Sequence, residues 1–449
     1  MKKKLAFTIA LCLMFTSLSV GCKNDENNHK EHSSKRRTEQ TVKTASVSST
    51  EETTSAETVA ETTTTEESTA ETTEEVTITE ETTTQTVVES SEGSKITEPE
   101  IRIIDNFNLE EYAANIDYNG AVLVSEGREV VFSDAYGYSG FDFSTGEIMN
   151  NTTDTVFEMG SVTKQFTAVA IMQLEEKGLL STEDTLDKYI PEYPYADRIT
   201  IHQLLNMTSG VVDYITGGPY GYDLYNMSEE DFASLKEATE MFADVCIKAV
   251  TPITPDELVD MVSPYELNFE PGTQFEYSNT NYYFLGMIIE QVSGMSYDDY
   301  IRENILNPLE LTELWPDLDH IDSTGAFSVW GIDIPVPHQD TSISYSVGVM
   351  TGTVEGLLKW EYCVMDRALL TEESWNKIFD GGEFGYGYGW YITDDYVYHT
   401  GMTLGYNAAV VIDRENENVV IALSNVQSAN FNEKEPSSKE LAMTIIGNI

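Results

Sequence analysis

Ser161-Val162-Thr163-Lys164 places a hydroxyl and an amine three residues apart. On a helix that spacing puts both side chains on one face, with the amine within hydrogen-bond reach of the hydroxyl. A serine oxygen is a weak nucleophile until a base takes its proton, and an amine of lowered pKa can be that base. Ser374-Trp375-Asn376-Lys377 repeats the pattern, as chance predicts about once in a chain of this size at ordinary Ser and Lys frequencies. Context separates the two copies. Gly160 precedes Ser161 for a tight turn, a long apolar helical pattern follows it, and a strand-like hairpin lies upstream; Ser374 has none of these. At a helix start the Ser161 N–H and the positive end of the helix dipole would face a substrate oxygen and stabilise an oxyanion. A simple N-cap serine is the competing reading.

Two further groups follow in order. Tyr277-Ser278-Asn279 comes after Glu270-Pro271-Gly272-Thr273 and before a helical pattern, which places Tyr277 and Asn279 in a loop on a rigid support. A turn with Asn at a helix start explains Asn279 but not the tyrosine two places before it. His399-Thr400-Gly401 stands at the end of a strand over Tyr396–Tyr398 and opens into Met402. Glycine there lets a substrate backbone approach the strand edge, and the next N–H can complete an oxyanion hole. A lone histidine at a strand end is ordinarily just exposed; the order S-x-x-K, Y-x-N, H-T-G is what makes it functional.

The elements that must position these groups are legible from period. Gly120–Val124 and Val130–Phe132, separated by Ser125-Glu126-Gly127-Arg128, read as a hairpin. Val162, Phe166, Val169, Ala170 and Leu174 recur at helical spacing between Ser161 and Lys177, and Gly178 stops the helix. From Thr182 to about Met365 helical patterns prevail. Strand signals return only late, over Tyr388–Ile392, Val397–His399, Ala408–Ile412 and Val419–Leu423, before a closing helix over Lys439–Ile446. Early strands, a helical excursion and late strands predict an α+β fold: one antiparallel sheet joining both ends of the catalytic unit, flanked by helices, with a helical lobe.

The ends and the charge bound the setting. Lys2–Lys4, the apolar run Leu5–Phe15 and Gly21-Cys22 read as a signal peptide over residues 1–22. Gly21 before Cys22 resembles a lipoprotein cleavage box with Cys22 as the lipidated residue, although Ser19 stands where leucine is usual; ordinary cleavage nearby is the competing reading. Residues 23–100, rich in Thr, Glu and Ser, cannot bury enough apolar area to fold, and form an expected linker spanning on the order of 50 Å as a coil. The catalytic unit is then 101–449, and the expected location is extracytoplasmic, lipid-anchored at the cell membrane. The net charge is −52, and residues 101–449 alone hold 58 Asp+Glu against 15 Lys+Arg. Such a surface repels nucleic acid and anionic headgroups, so no nucleic-acid partner is expected and membrane contact must come from the anchor. Cys246 and Cys363 are left to pair or to be buried, and no Cys/His cluster suggests a metal or other cofactor.

With these motifs in hand, and with Phe157-Glu158-Met159-Gly160-Ser161, Ile201–Gly210, Pro271–Asn279 and Tyr386-Gly387-Tyr388-Gly389-Trp390 beside them, nearly all of residues 105–449 resembles the serine β-lactamase and penicillin-binding protein family. That family includes class C β-lactamases, D-alanyl-D-alanine carboxypeptidases and related esterases and D-aminopeptidases. The resemblance implies the β-lactamase/transpeptidase-like fold, an acyl-enzyme on Ser161, and Lys164 as the proton acceptor. It implies Tyr277 as the proton shuttle and Asn279 as the group orienting Lys164 and the substrate amide. His399 stands where lysine is common, Thr400 would bond the substrate, and Gly401 would let the Met402 N–H join that of Ser161 in the oxyanion hole. No Lys or Arg lies between Lys377 and Arg414, so the strand carrying His399 offers only Thr400 and a protonated His399, and strong carboxylate recognition needs a residue from elsewhere in the chain or is absent. A carboxypeptidase-like or peptidoglycan-directed amide hydrolase is the leading expectation, acting on a small molecule or peptidoglycan peptide. An esterase, D-aminopeptidase or β-lactamase-like hydrolase is the alternative, and an inert surface-binding lipoprotein the third.

Overall fold

The computed structural model describes residues 104, 107–142, 145, 147–215, 218–220, 235–329, 332–428 and 437–449. The expected signal segment with Cys22 and the expected linker lie outside them.

β1 (Gly120–Glu126) and β2 (Glu129–Tyr136) form the hairpin read from the sequence, with a bulge at Val124/Ser125. Ser161 lies in a 3₁₀ turn, Gly160–Val162, that runs into α1 (Thr163–Glu176). The helix ends at Gly178, whose N–H bonds Glu175 O at φ +69°. Later come α2 (Asn279–Ser293), α3 (Thr341–Gly348) and α4 (Val354–Met365). The meander follows as β3 (Tyr391–Ile392), β4 (Tyr396–Thr403), β5 (Tyr406–Asp413) and β6 (Asn418–Ser424), and α5 (Ser438–Ile446) closes the domain. The six strands make one sheet in the order β3-β4-β5-β6-β1-β2, antiparallel throughout. The expected joining of early and late strands is therefore the β1–β6 pairing, Gly120 opposite Ser424.

Both faces of the sheet are covered at β5 and β6, which explains why these strands read as continuous apolar runs. Ala408, Val410 and Ile412 join the main core, while Ala409 and Val411 pack with Leu441, Ala442 and Ile445 of α5. Each such fully buried Val, Ile or Leu contributes about 1.5–3 kcal/mol. α1 was expected to bury one stripe, yet every residue from Thr163 to Leu174 is buried. It is a core helix, enclosed by α2, α3 and α4, with Phe166 stacked on Trp360 of α4 at 4.2 Å.

Three expectations need correction. The region from 182 to 365 also contains short strands at Leu314–Trp315, Ala326–Val329, Ile332–Pro335 and Thr351–Gly352. Strands of two to four residues are too short for periodicity to show. Thr351–Gly352 pairs with both Leu314–Trp315 and Phe157–Glu158, and so fixes the segment that leads into Ser161. The strand expected over Tyr388–Ile392 is confined to β3, because Gly387 N bonds Trp390 O and closes a turn. His399-Thr400-Gly401 lies inside β4 rather than at a strand end. Cys246 and Cys363 are both free thiols; Cys246 is buried, which pushes it up to about 11.

Candidate active site

Ser161 is half-buried at the mouth of its turn, and Lys164 below it is wholly buried. The Lys164 Nζ lies 2.9 Å from Ser161 Oγ, 2.9 Å from Asn279 Oδ1 and 3.0 Å from Val347 O at the end of α3. Burial pushes Lys164 down to about 7, while Asp213 pulls the other way. The charge beside it is negative, and burial alone does the lowering. An amine with a pKa near neutrality is free to accept a proton at physiological pH.

Asn279 was expected in a loop but is the first residue of α2, buried against Lys164. Tyr277 lies two residues earlier with its ring centroid 5.1 Å from Lys164 Nζ. Its hydroxyl is buried and makes no bond of good geometry. Burial and Tyr391 drive its pKa well above 10, with Ser161 close enough to counter part of that rise. Tyr277 thus keeps its proton and can donate it; of the two groups beside Ser161, Lys164 is the one able to act as base.

The strand edge meets the Ser161 turn through two glycines. A Cβ on Gly401 would fall 1.9 Å from Met159 O and 2.9 Å from Ser161 N, and one on Gly160 would fall 2.5 Å from Met402 N. Only glycine at both positions brings the peptide groups of Ser161 and Met402 side by side, and Gly160 further needs its φ of +50°. Two peptide groups brought this close together beside a nucleophilic residue can supply N–H groups to an oxyanion. Thr400 is half-buried and Met402 is exposed at this edge.

His399 differs from expectation. Its Nδ1 donates to Thr400 O at 2.6 Å and its Nε2 accepts from the Tyr386 hydroxyl at 3.0 Å, so both ring nitrogens are engaged within the protein. Burial, then the Lys164 charge, push it down to about 3 against the Thr400 bond. His399 is neutral at physiological pH and cannot offer a cation to a carboxylate. Among the described residues, no Arg or Lys other than Lys164 bonds or pairs with Ser161, Tyr277, Asn279, His399 or Thr400. The wall beside them is aromatic: Tyr386 lies against Phe275 and Tyr391, and Tyr391 is parallel to Tyr277.

The second S-x-x-K is structural. Ser374 donates to Glu176 Oε1 at 2.6 Å and Lys377 pairs with Glu175 Oε2 at 3.0 Å, tying the Glu372–Ile378 helix to the end of α1. Sequence reasoning missed Asp213, which accepts from the Asn279 side chain at 3.0 Å and from its backbone N–H at 3.2 Å. Its only sequence signal was its place just after Thr208-Ser209-Gly210. Among the described residues no group of three His, Cys, Asp or Glu gathers as a metal site, and no helix is long and apolar enough to cross a membrane.

The Beta-lactamase family model matches residues 109–442. Penicillin-binding protein 4* of Bacillus subtilis (strain 168) is 28% identical over 335 residues, covering 69% of this chain and 68% of the relative. The octameric penicillin-binding protein homologue from Pyrococcus abyssi has 25% identity and a TM-score of 0.58 over 76% of each chain. The D-amino acid amidase of Ochrobactrum anthropi SV3, solved with D-phenylalanine, shares the fold at a TM-score of 0.59 and 20% identity, covering 75% of this chain and 95% of that one. A family match over most of the chain agrees with the β-lactamase-like sheet and with Ser161 set over its buried Lys164. The chain belongs to the Beta-lactamase family and is a serine hydrolase.

Proposed function

We propose that the protein is an amide or ester hydrolase working through an acyl-enzyme on Ser161, and that its substrates carry no carboxylate beside the scissile bond. Lys164, neutral in a good share of molecules at pH 7, takes the Ser161 proton as Oγ attacks the carbonyl. The Ser161 and Met402 N–H groups receive the oxyanion. Tyr277 passes a proton to the departing amine or alcohol, and water then releases the acid by the reverse relay.

The observation that carries the substrate reading is the neutral, internally bonded His399 in a site where, among the described residues, the one contacting cation is Lys164. A carboxylate placed beside it would lose its hydration without a counter-charge. We expect kcat/KM for a D-amino-acid amide or a short acyl ester to exceed that for a peptide ending in D-Ala-D-Ala by at least about tenfold, the cost of roughly 1.4 kcal/mol of unpaired charge. Faster turnover of the D-Ala-D-Ala peptide would reverse the reading. A carboxypeptidase-like peptidoglycan activity is the second reading, favoured by the half-buried Thr400 on the strand edge, where its hydroxyl can bond a terminal carboxylate.

We also propose an extracytoplasmic site of action, with Cys22 as the lipid anchor and residues 23–100 as the spacer. The support is the Lys2–Lys4 and Leu5–Phe15 leader followed by Gly21-Cys22. Cys22→Ala is expected to abolish incorporation of labelled palmitate and to shift the protein out of the membrane fraction. Unchanged palmitate labelling would sink the assignment.

A further inference from the structure

We infer that Asp213 is a positioning residue for catalysis: by fixing which way the Asn279 amide faces, it keeps the lone pair of Lys164 reserved for Ser161. The inference rests on Lys164 acting as the base, and deepens that reading.

The argument is one of donors and acceptors. A neutral lysine amine has two N–H groups and one lone pair. Three oxygens surround Lys164 Nζ: Ser161 Oγ, Asn279 Oδ1 and Val347 O. The Val347 carbonyl can only accept, so it takes one N–H. If Asn279 presents its carbonyl oxygen, that takes the second, and the lone pair is left for the one neighbour with a hydrogen to give, the Ser161 hydroxyl. If the amide were turned over, its NH₂ would compete for that lone pair and one amine N–H would lose its acceptor. The amide is nearly symmetric in shape, so packing alone does not choose between the two orientations.

Asp213 makes the choice. A carboxylate only accepts, and Asp213 Oδ2 lies 3.0 Å from Asn279 Nδ2, which demands that the NH₂ face Asp213 and the carbonyl face Lys164. The carboxylate itself is held: Oδ1 accepts from Asn279 N at 3.2 Å and from Ile215 N at 3.1 Å. Its chain is held too. Thr280 Oγ1 donates to Val212 O at 2.7 Å and accepts from Tyr214 N at 3.0 Å, which clamps the backbone on both sides of Asp213 to the first turn of α2. Asp213, Asn279, Lys164 and Ser161 thus form a single directed chain of bonds.

The same carboxylate sets the charge around the amine. Among the described residues, the titratable groups facing Lys164 are Asp213 from the preceding loop, Tyr277 from the segment before α2, Tyr282 on α2 and His399 on β4. Burial keeps both tyrosines protonated and His399 neutral. Asp213 is the only carboxylate among them, and it stabilises the protonated amine. Removing its charge lowers the proton affinity of Lys164, and removing its acceptor character frees the Asn279 amide to turn.

The test is the pH dependence of acyl-enzyme formation, read as the p-nitrophenol burst from p-nitrophenyl acetate with the full chain, for the parent, D213N, D213E and D213S. D213N keeps the shape but can accept as well as donate. We expect its acid limb to move to lower pH by about one unit and its plateau to fall roughly 10–100-fold, with D213E recovering the parental limb. D213S should move the limb in the same direction as D213N. A folded D213N or D213S whose limb stays at the parental pH overturns the inference. So does failure of every Asp213 variant to fold, since the residue is then a structural one. Ser161→Ala and Lys164→Arg belong in the same series. A burst surviving in either would mean the acylation reading itself is wrong, whereas loss of both with an unmoved D213N limb defeats the Asp213 inference alone.

Discussion

Replacing Ser161 by alanine is expected to lower kcat/KM on the best amide or ester substrate by on the order of 10⁴-fold and to abolish the p-nitrophenol burst from p-nitrophenyl acetate. The size follows from the chemistry: without the hydroxyl there is no acyl-enzyme, and only the oxyanion hole and binding remain. Ser374→Ala is the matched control. Ser374 sits in the same S-x-x-K pattern, but its oxygen is given to Glu176 and its lysine to Glu175, at the far end of α1 from Ser161. Its loss should cost about 1 kcal/mol of stability, one hydrogen bond to a carboxylate, and leave kcat/KM within about twofold of the parent. A Ser161→Ala protein that still turned over, or a Ser374→Ala protein that did not, would reassign the nucleophile.

The second large effect concerns the proton. Because burial brings Lys164 down to about 7, kcat/KM should rise tenfold per pH unit up to about pH 7 and then level off. Lys164→Met should remove about 10³-fold or more at the plateau and erase that limb. The same residue burdens the fold, and the sign can be worked out. The unfolded chain binds the lysine proton up to about 10.5, the folded one only up to about 7. Between those values the unfolded state holds more protons, so stability rises with pH through that window, by up to about 1.4 kcal/mol per unit, and the penalty is complete below 7. Lys164→Met is therefore expected to be inactive yet more resistant to heat at pH 6, an exchange of stability for function. Thermal melts of the parent and Lys164→Met at pH 6 and pH 9 check this: the advantage of the variant should shrink at the higher pH. Equal melting of the two proteins at both values would mean that the buried amine is not strained.

What was legible in the sequence was whatever has a local signal. The β1–β2 hairpin, α1 with its Gly178 stop, the β4–β6 meander and the closing α5 all carry their period or punctuation in a single stretch. Order along the chain then tied Ser161, Tyr277 and Gly401 together. Properties set by burial were not legible. His399 looks like any strand histidine until Tyr386 and Thr400 are seen to consume both ring nitrogens. Asp213 is one of many acidic residues in a strongly acidic chain, and only its approach to Asn279 across 66 residues distinguishes it. The all-round burial of α1 from Thr163 to Leu174 was also hidden, since an apolar stripe does not reveal that Thr163, Lys164 and Gln165 face protein as well.

The pairing of β1 with β6 has a consequence for how the molecule is made. Two interior strands of the sheet meet across about 300 residues, and Ser424 Oγ reaches back to Asn119 O. Closing so long a loop carries an entropic cost that β1 cannot recover until β6 has been synthesised. β1 and β2 alone make a two-stranded ribbon of marginal stability. The N-terminal part of this domain thus stays uncommitted while the rest of the chain is still on the ribosome, and folding is completed late. A chain with that schedule stays loose for longer, which suits the export through a narrow channel proposed above.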